Sequence, residues 1–234
     1  MFEKLTKQII HKAAWRELKK SIIPVLQCRC RQDGMPEYGR FTQQGIERIT
    51  LQTEANIREL MPYLDDLNNI GNYQKQYEGL LTLAIYRSLI EANIETNYAI
   101  NLLGDIIWQT FLNVRGFIPI IGPLAKKLIT LRTKDPMIIL GKLLKIMKKY
   151  PYSEPGYKIN FYEKDQIYYW DTYTCSAYDF YKKFGNEEMK LFRRLWCTLD
   201  YAVAERAVEG GKYEREHCLA DGDEVCDMRY FVKN

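Results

Sequence analysis

The sequence has little net charge and no run of basic residues, and this absence excludes one large class of functions. Its 34 lysines and arginines outnumber its 30 aspartates and glutamates by only four. An excess this small suits a soluble protein and is too small to indicate binding to nucleic acid. We therefore expect no nucleic-acid partner.

The sequence also lacks a stretch typical of a secretory leader and an unbroken hydrophobic segment. Its first twenty residues place apolar side chains at helical spacing with charges between them, which predicts a folded helix. Charged residues interrupt the apolar region 73–114 too often for a membrane span: Arg87, Glu91, Glu95 and Asp105. Six unevenly spaced cysteines without a leader favour reduced thiols. We predict a cytoplasmic protein with no integral membrane segment.

Residues 1–150 are predicted to be mainly helical. A break is expected from Ser21 to Pro36, with Cys28 and Cys30 in a loop or strand, because their spacing matches neither zinc nor redox motifs. A helix at 41–60 should stop at Met61-Pro62, two core helices should meet near 93–97, and another should begin at Asp135-Pro136.

Residues 151–234 are predicted to contain the sheet. Alternation at Ile159 and Phe161 before Lys164-Asp165 indicates a hairpin. A short helix at about 176–184 and a longer helix that Asn186 would cap should follow. The closing run is predicted to form a second hairpin with a tight turn at Asp221-Gly222. The expected fold is a single α+β domain over 1–234, whose helical N-terminal two-thirds pack on a C-terminal antiparallel β-sheet with inserted helices.

Side chains of chemical interest lie on the longer helix. At 100° per residue, Arg193, Cys197, Asp200 and Ala204 share a stripe beside the main apolar face. A thiol, a carboxylate and an alanine there leave room for a ligand. The spacing fits equally well a Cys197 that packs as a small hydrophobe and an Asp200 paired with an arginine.

The register of the closing hairpin decides which of its side chains meet. A two-residue turn would set His217 opposite Cys226, whereas a three-residue turn would set Cys218 opposite Cys226. Both registers stay open at this level.

Several C-terminal positions together resemble the bacterial L-2-amino-thiazoline-4-carboxylic acid hydrolase family: Cys175, Gly185, Cys197-Thr-Leu-Asp200, Arg215, Leu219, Gly222 and Cys226-Asp227-Met-Arg229. The likeness covers roughly the C-terminal third and a helical N-terminal part of similar length. Segment 218–226 also resembles the end of vinyl-reductase-type small-molecule-binding domains, which have an α+β fold. Met228 and the pair His217-Cys218 depart from the family pattern.

The resemblance implies hydrolysis of a cyclic, cysteine-derived thiazoline to N-carbamoyl-cysteine, a reaction on a small cyclic C–N-containing acid that uses no cofactor. Opening such a ring requires a nucleophile or a base, and a cation for the substrate carboxylate. We predict three catalytic residues: Cys197 as a thiolate, Asp200 as proton carrier, and His217. Either His217 or Arg193 would lower the pKa of Cys197. The predicted substrate-binding residues are Arg193, Arg215, Arg229, Cys175, Cys226 and Asp227, with Arg215 or Arg229 clamping the carboxylate.

An alternative from another class is a non-catalytic or metal-dependent small-molecule-binding module. Soft ligands for a thiolate-bound zinc or copper ion are present: Cys175, Cys197, His217, Cys218 and Cys226. Their scattered spacing matches no compact zinc motif. A structural interaction protein is a third possibility, and the apolar central helices would permit a homodimer.

Overall fold

The computed structural model describes residues 2–32, 41–113 and 127–233. The chain divides into two compact units, one formed by Met1–Leu64 with Tyr77–Arg115 and the other by Asp65–Gln76 with Gly116–Asn234. The described secondary structure confirms the predicted α+β class, with an antiparallel sheet in the C-terminal part. A single domain over 1–234 stays a prediction.

The first unit is helical throughout its described residues. Its helices are α1 (Phe2–Gln32), α2 (Gln43–Leu60), α3 (Ile70–Glu91, from Tyr77 onward) and α4 (Thr96–Asn113). α1 packs against α2 and α4. Their buried apolar residues include Ile22, Leu26, Leu83 and Leu102. In the described ranges, no helix combines the length and the apolar character needed to cross a membrane.

The break predicted from Ser21 is wrong as far as the described residues go, because α1 continues through Pro24 to Gln32. Proline normally disrupts a helix interior because it lacks an N–H group and clashes with the preceding turn. Here Pro24 lies on the exposed side, while Ile22 and Leu26 beside it are fully buried. That burial offsets the lost hydrogen bond. Cys28 and Cys30 therefore lie on a helix, and residues 33–36 lie outside the described residues.

The other N-terminal boundaries follow the prediction. α2 ends at Leu60 and a 3₁₀ turn, Met61–Tyr63, contains the proline. α3 and α4 are separated near Asn93, whose φ of 57° is left-handed and ends the helical path.

The second unit contains the sheet. Strands β1 (Ile159–Lys164), β2 (Ile167–Thr172), β3 (Gly211–Glu214) and β4 (Cys226–Val232) are antiparallel in the order β1-β2-β4-β3. Its helices are α5 (Pro136–Lys149), α6 (Ser176–Tyr181), α7 (Asn186–Leu195) and α8 (Leu199–Ala207), with Ile70–Gln76 of α3. Asp135 caps α5, accepting hydrogen bonds from the N–H groups of Met137 and Ile138, as the Asp-Pro pair predicts.

One face of the sheet carries the core of this unit. Ile139, Leu140 and Leu144 of α5 pack on the buried aromatic side chains Tyr168, Trp170, Tyr213 and Tyr230. The predicted first hairpin is confirmed, and its turn lies at Asp165 and Gln166, which both have positive φ. This left-handed pair matches the right-handed twist of the two strands.

The second predicted hairpin forms, because β3 pairs with β4, but the tight turn predicted at Asp221-Gly222 is wrong. β3 ends at Glu214, which pairs with Arg229, and segment 215–225 then forms a loop before β4. Gly222, with φ of 97°, ends a 3₁₀ turn, Leu219–Asp221, instead of closing a tight hairpin. Backbone N–H groups in the loop find carboxylate partners, because Asp227 Oδ1 accepts from His217 at 2.6 Å and Asp223 Oδ2 from Cys218 at 2.7 Å. The β3–β4 pairing nevertheless has the register expected for a two-residue turn, with Gly211 opposite Val232 and Glu214 opposite Arg229, but the ladder ends before it reaches His217 and Cys226.

The predicted long helix after Asn186 is also wrong, because it is divided into α7 and α8 by residues 196–198. Thr198 Oγ1 donates back to the carbonyl oxygen of Arg194 at 2.7 Å, a bond that competes with regular helix geometry. The carbonyl of Cys197 accepts from Arg215 at 3.0 Å instead of from a helical N–H group. The N-cap is Gly185 rather than Asn186, and the short helix ends at Tyr181.

Gly211 lets β3 approach α8 closely. A Cβ atom at this position would lie 2.2 Å from the carbonyl oxygen of Ala204. Exchange of a strand glycine for alanine normally stabilises a protein. We expect Gly211→Ala instead to lower the free energy of unfolding by roughly 1–3 kcal/mol, because backbone must move to relieve the overlap.

Urea denaturation measures this effect. Glu214→Ala, at an exposed position on the same strand, is the matched control and should change stability by less than about 0.5 kcal/mol. A Gly211→Ala variant as stable as the wild type would contradict the close packing of α8 on β3.

Candidate functional site

Four cysteines that are scattered in the sequence line one cavity of about 90 Å³ in the second unit. Cys175 precedes α6, Cys197 lies between α7 and α8, Cys218 precedes the 3₁₀ turn, and Cys226 begins β4. All are free thiols. Because each comes from a different element, the sheet and the inserted helices together assemble the site.

Cys218 is at the centre of a chain of hydrogen-bonded thiols. The Cys226 sulfur lies 3.9 Å from the Cys218 sulfur and donates to it, while it accepts the N–H group of Leu219 at 3.2 Å. Cys197 also donates to Cys218, and these two thiol hydrogen bonds, aided by the positive charge of Arg215, lower the pKa of Cys218. The same bonds raise the pKa of Cys197 and of Cys226. These bonds favour the thiolate form of Cys218 over that of its two neighbours.

Cys175 differs from the other three thiols. Burial raises the pKa of Cys175 to about 11, against opposing hydrogen bonds from the N–H groups of Tyr178 and Ala177 and the hydroxyl of Tyr157. Since the thiolate is the reactive form of cysteine, Cys175 is a neutral part of the wall.

Arg215 brings a buried positive charge to the cavity. Its side chain is 3% exposed, its Nη2 atom donates to the carbonyl of Cys197 at 3.0 Å, and its Nη1 atom lies 3.9 Å from Asp200 Oδ2. The guanidinium carbon also lies 6.0 Å from the centre of the Tyr213 ring, which adds a favourable cation–π interaction.

Lys75 brings a second cation, from the part of α3 that belongs to this unit. The residue is 8% exposed. Its ammonium nitrogen lies 5.5 Å from the Trp196 ring centre and 5.6 Å from that of Tyr152. Aromatic faces stabilise such a charge where water is scarce.

Asp200 is the carboxyl group among the cavity residues. Burial raises its pKa to about 6, although the charges of Arg215 and Lys75 oppose the shift. Such a group is partly protonated near neutral pH and can both donate and accept a proton. Arg215 and Lys75 thus share the cavity with one carboxyl group, which protonation neutralises near pH 6.

The remaining walls are aromatic and sulfur-rich, and they include Trp170, Tyr230, Met147 and Met228. One polar atom in this wall is unsatisfied: Thr172 Oγ1 is buried and has no hydrogen-bond partner among the described residues. Buried polar groups are usually paired, so this hydroxyl is an exception within the cavity wall.

The structure brings together Cys175, Cys197, Asp200, Arg215 and Cys226 of the sequence-predicted site residues, since all five line the cavity. It places the other four elsewhere. Arg193 pairs with Asp221 at 2.7 Å, and Asp227 bonds His217 at 3.1 Å and Arg229 at 3.3 Å. These residues stabilise the 215–225 loop and do not line the cavity.

His217, Glu216 and Asp227 are the group of three potential metal ligands, within the described ranges, whose atoms lie within 4.8 Å of one another. Arg229 already bonds both carboxylates of this group, at 3.1 Å and 3.3 Å. The guanidinium thus supplies the positive charge that a metal ion would bring. The cluster is explained as a surface ion-pair network.

Sequence reasoning did not predict Lys75 or Thr172 as site residues. It considered Cys218 only as a metal ligand and not as a site residue of the hydrolase. Lys75 lies between Tyr73 and Tyr77, both buried, so a lysine on an otherwise buried stretch was the available signal. Thr172 carried none, because its role depends on what surrounds the end of β2.

Comparison with protein-family models, with curated proteins and with solved structures found no match to this chain. The hydrolase resemblance therefore stays a prediction.

The raised pKa of Asp200 has a consequence for stability. A carboxyl whose pKa rises on folding contributes stability that is fully present below its unfolded pKa, near 3.8, and is lost as pH rises through about 6. Asparagine cannot ionise and does not suffer this loss. The free energy of unfolding of Asp200→Asn should therefore increase, relative to that of the wild type, by roughly 2–3 kcal/mol as the pH rises from about 4 to about 7. Chemical denaturation of both proteins at the two pH values measures it, and a gap that does not widen with pH would contradict the raised pKa of Asp200, whose side chain is 28% exposed.

Proposed function

We propose that the protein is a thiol-dependent hydrolase that opens a small cyclic acid of the 2-aminothiazoline-4-carboxylate type. The observation that carries the proposal is the shared cavity of hydrogen-bonded thiols, the Asp200 carboxyl and two buried cations. Nucleophile, proton carrier and anion site are the components that this hydrolysis requires.

The charge of the cavity supports an anionic substrate. Lys75 and Arg215 carry two positive charges, while burial raises the pKa of Asp200 to about 6. Both cations attract the carboxylate of a small acid, and Arg215 has N–H groups beyond the one bonded to Cys197 with which to bind it.

The size and the walls of the cavity support a compact planar ring. A buried water needs roughly 10–15 Å³ of such space, so about six to nine non-hydrogen atoms fit. Trp170, Trp196 and Tyr230 line this space with aromatic surface, which suits a flat, sulfur-containing ring.

Asp200 supports ring opening by proton transfer. With a pKa of about 6, it can protonate the ring nitrogen as the ring is attacked and later accept a proton from water. General acid–base catalysis works best when the pKa lies near the working pH.

A second candidate function, a metal-dependent binding module, is favoured by one distance. The Cys218 and Cys226 sulfurs lie 3.9 Å apart, near the roughly 3.8 Å separation of two thiolates on tetrahedral zinc. Three observations weigh against it: His217 is outside the cavity, the thiols form no described group of three within 4.8 Å, and Lys75 and Arg215 would repel a cation.

Elemental analysis separates the two candidates. Protein purified without chelator should contain far less than one zinc or copper ion per chain. One tightly held ion per chain, lost in a Cys218→Ser, Cys226→Ser double variant, would favour the binding module instead.

Incubation with 2-aminothiazoline-4-carboxylate tests the hydrolase function. Ring opening releases a thiol and adds one water to the substrate mass, so thiol titration and mass spectrometry both report it. Arg215→Lys should lower kcat/KM roughly 10- to 100-fold, because lysine cannot form the bidentate, charge-assisted pair with the carboxylate.

Arg229→Lys is the matched control, because Arg229 is an arginine of the same sheet region outside the cavity. It should keep kcat/KM within about twofold, as expected of an exposed ion pair. Absence of thiol release by the wild type, or an equal loss in both variants, would refute the function.

A further inference from the structure

We propose that Cys218 is the nucleophile of this hydrolase, and that Cys197 and Cys226 are positioning residues that hydrogen-bond its sulfur. The catalytic part of this inference rests on the proposed function. It replaces the sequence-based prediction of Cys197 as the attacking thiol.

The arrangement of donors around the sulfur carries the inference. Cys226 accepts the Leu219 N–H group at 3.2 Å and donates its own hydrogen to Cys218 across 3.9 Å. Cys197 also donates to Cys218, and the N–H group of Ala220 adds a further bond. Several donors that converge on one sulfur favour its thiolate form.

The backbone at Cys218 is held in place independently of its thiol. Its N–H group bonds Asp223 Oδ2 at 2.7 Å, and its carbonyl accepts the N–H group of Asp221 at 2.8 Å. Leu219, the next residue, is buried. The sulfur is therefore preorganised toward the cavity, which lowers the reorganisation needed for attack.

Cys197 is placed to donate rather than to attack. Its backbone carbonyl is anchored by Arg215 at 3.0 Å, and its S–H bond is directed at Cys218. A thiol that gives its hydrogen to a neighbouring thiolate is neutral, and a neutral thiol is a poor nucleophile.

Cys218 as nucleophile and Asp200 as proton carrier are enough for the whole hydrolysis. The Cys218 thiolate attacks C2 of the thiazoline, forming a C–S bond, while the ring nitrogen takes the Asp200 proton. The bond between C2 and the ring sulfur then breaks, and that sulfur leaves with the electron pair as a thiolate, giving a protonated isothiourea attached to Cys218. Water next adds to C2 and gives one proton to Asp200. Collapse expels the Cys218 thiolate, and the remaining hydroxyl proton passes to the substrate thiolate, which leaves the carbamoyl product with a free thiol. No oxidation or reduction occurs.

Alkylation of the full chain tests the reactivity of Cys218 without reference to turnover. Iodoacetamide is compact enough for the cavity, and peptide mass spectrometry gives a rate for each cysteine. Cys218 should react at least about tenfold faster than Cys197, in keeping with the preference of alkylation for thiolates. Cys28 on α1 is exposed, so its alkylation is the control that the reagent is active.

Two variants at position 197 test its positioning role. Cys197→Ala removes the donor and should slow alkylation of Cys218 roughly threefold to tenfold, the usual range for one hydrogen bond. Cys197→Ser keeps a donor and should restore most of the rate, an effect that simple packing at this position would not produce.

Ring opening by the variants completes the test. Cys218→Ser should lose roughly 1,000-fold or more in kcat, whereas Cys197→Ser should stay within about tenfold of the wild type. Thermal denaturation of each variant shows whether it folds. If a variant does not fold, the alkylation rates of the wild-type cysteines still test the inference.

Faster alkylation of Cys197 than of Cys218, or failure of both to react while Cys28 reacts, would overturn the inference. So would full activity in Cys218→Ser, and in that case the hydrolase function itself would stand. Rapid alkylation of Cys218 in a protein that opens no ring would refute the proposed function alone, leaving a reactive thiolate whose substrate differs.

Discussion

The arrangement of the cavity depends on the burial of the Arg215 guanidinium. It donates to the carbonyl of Cys197, lies 3.9 Å from the Asp200 carboxylate and stands over the Tyr213 ring. A buried arginine stays charged and must find partners. Those partners are the groups at the junction of α7 and α8, so the residue that follows β3 also determines where the helix is interrupted.

The interruption has a chemical result. In one continuous helix, Cys197 and Asp200 would lie a turn apart on one stripe and Cys197 would bond its carbonyl within the helix. The break frees that carbonyl for Arg215 and lets the Cys197 thiol reach Cys218. The loop 215–225 completes the contact from the other side, because Asp223 and Asp227 accept its backbone N–H groups and so replace the hydrogen bonds of a regular hairpin.

Much of the secondary structure was readable from the sequence, because it depends on local signals. Asp135 with Pro136 marked the start of α5, Met61-Pro62 the end of α2, and alternating aromatics the first hairpin. The failures share a cause, which is that tertiary contacts outweighed a local preference. Pro24 is tolerated because Ile22 and Leu26 are buried beside it, and Asp221-Gly222 ends a 3₁₀ turn because carboxylates satisfy the surrounding backbone.

The candidate site was readable only in part, for the same reason. Periodicity on a helix could group Cys197 with Asp200, and a cavity now contains both. It could not show that Cys218 lies between two other thiols, or that Lys75 from a distant helix faces the same space, because those approaches arise from sheet order and loop shape. Conversely, His217, Arg193 and Arg229 suited the chemistry by type, but nearby acidic residues bind them on the surface.

The central claim is that one cavity of the second unit holds a small cyclic acid between its cations and its thiols. A crystal structure of the protein with 2-aminothiazoline-4-carboxylate tests it most directly. The account predicts the ring inside the cavity, its carboxylate bonded to Arg215 and its C2 atom nearest the Cys218 sulfur. An empty cavity at saturating ligand, or the acid bound at the exposed Arg229 network, would contradict it.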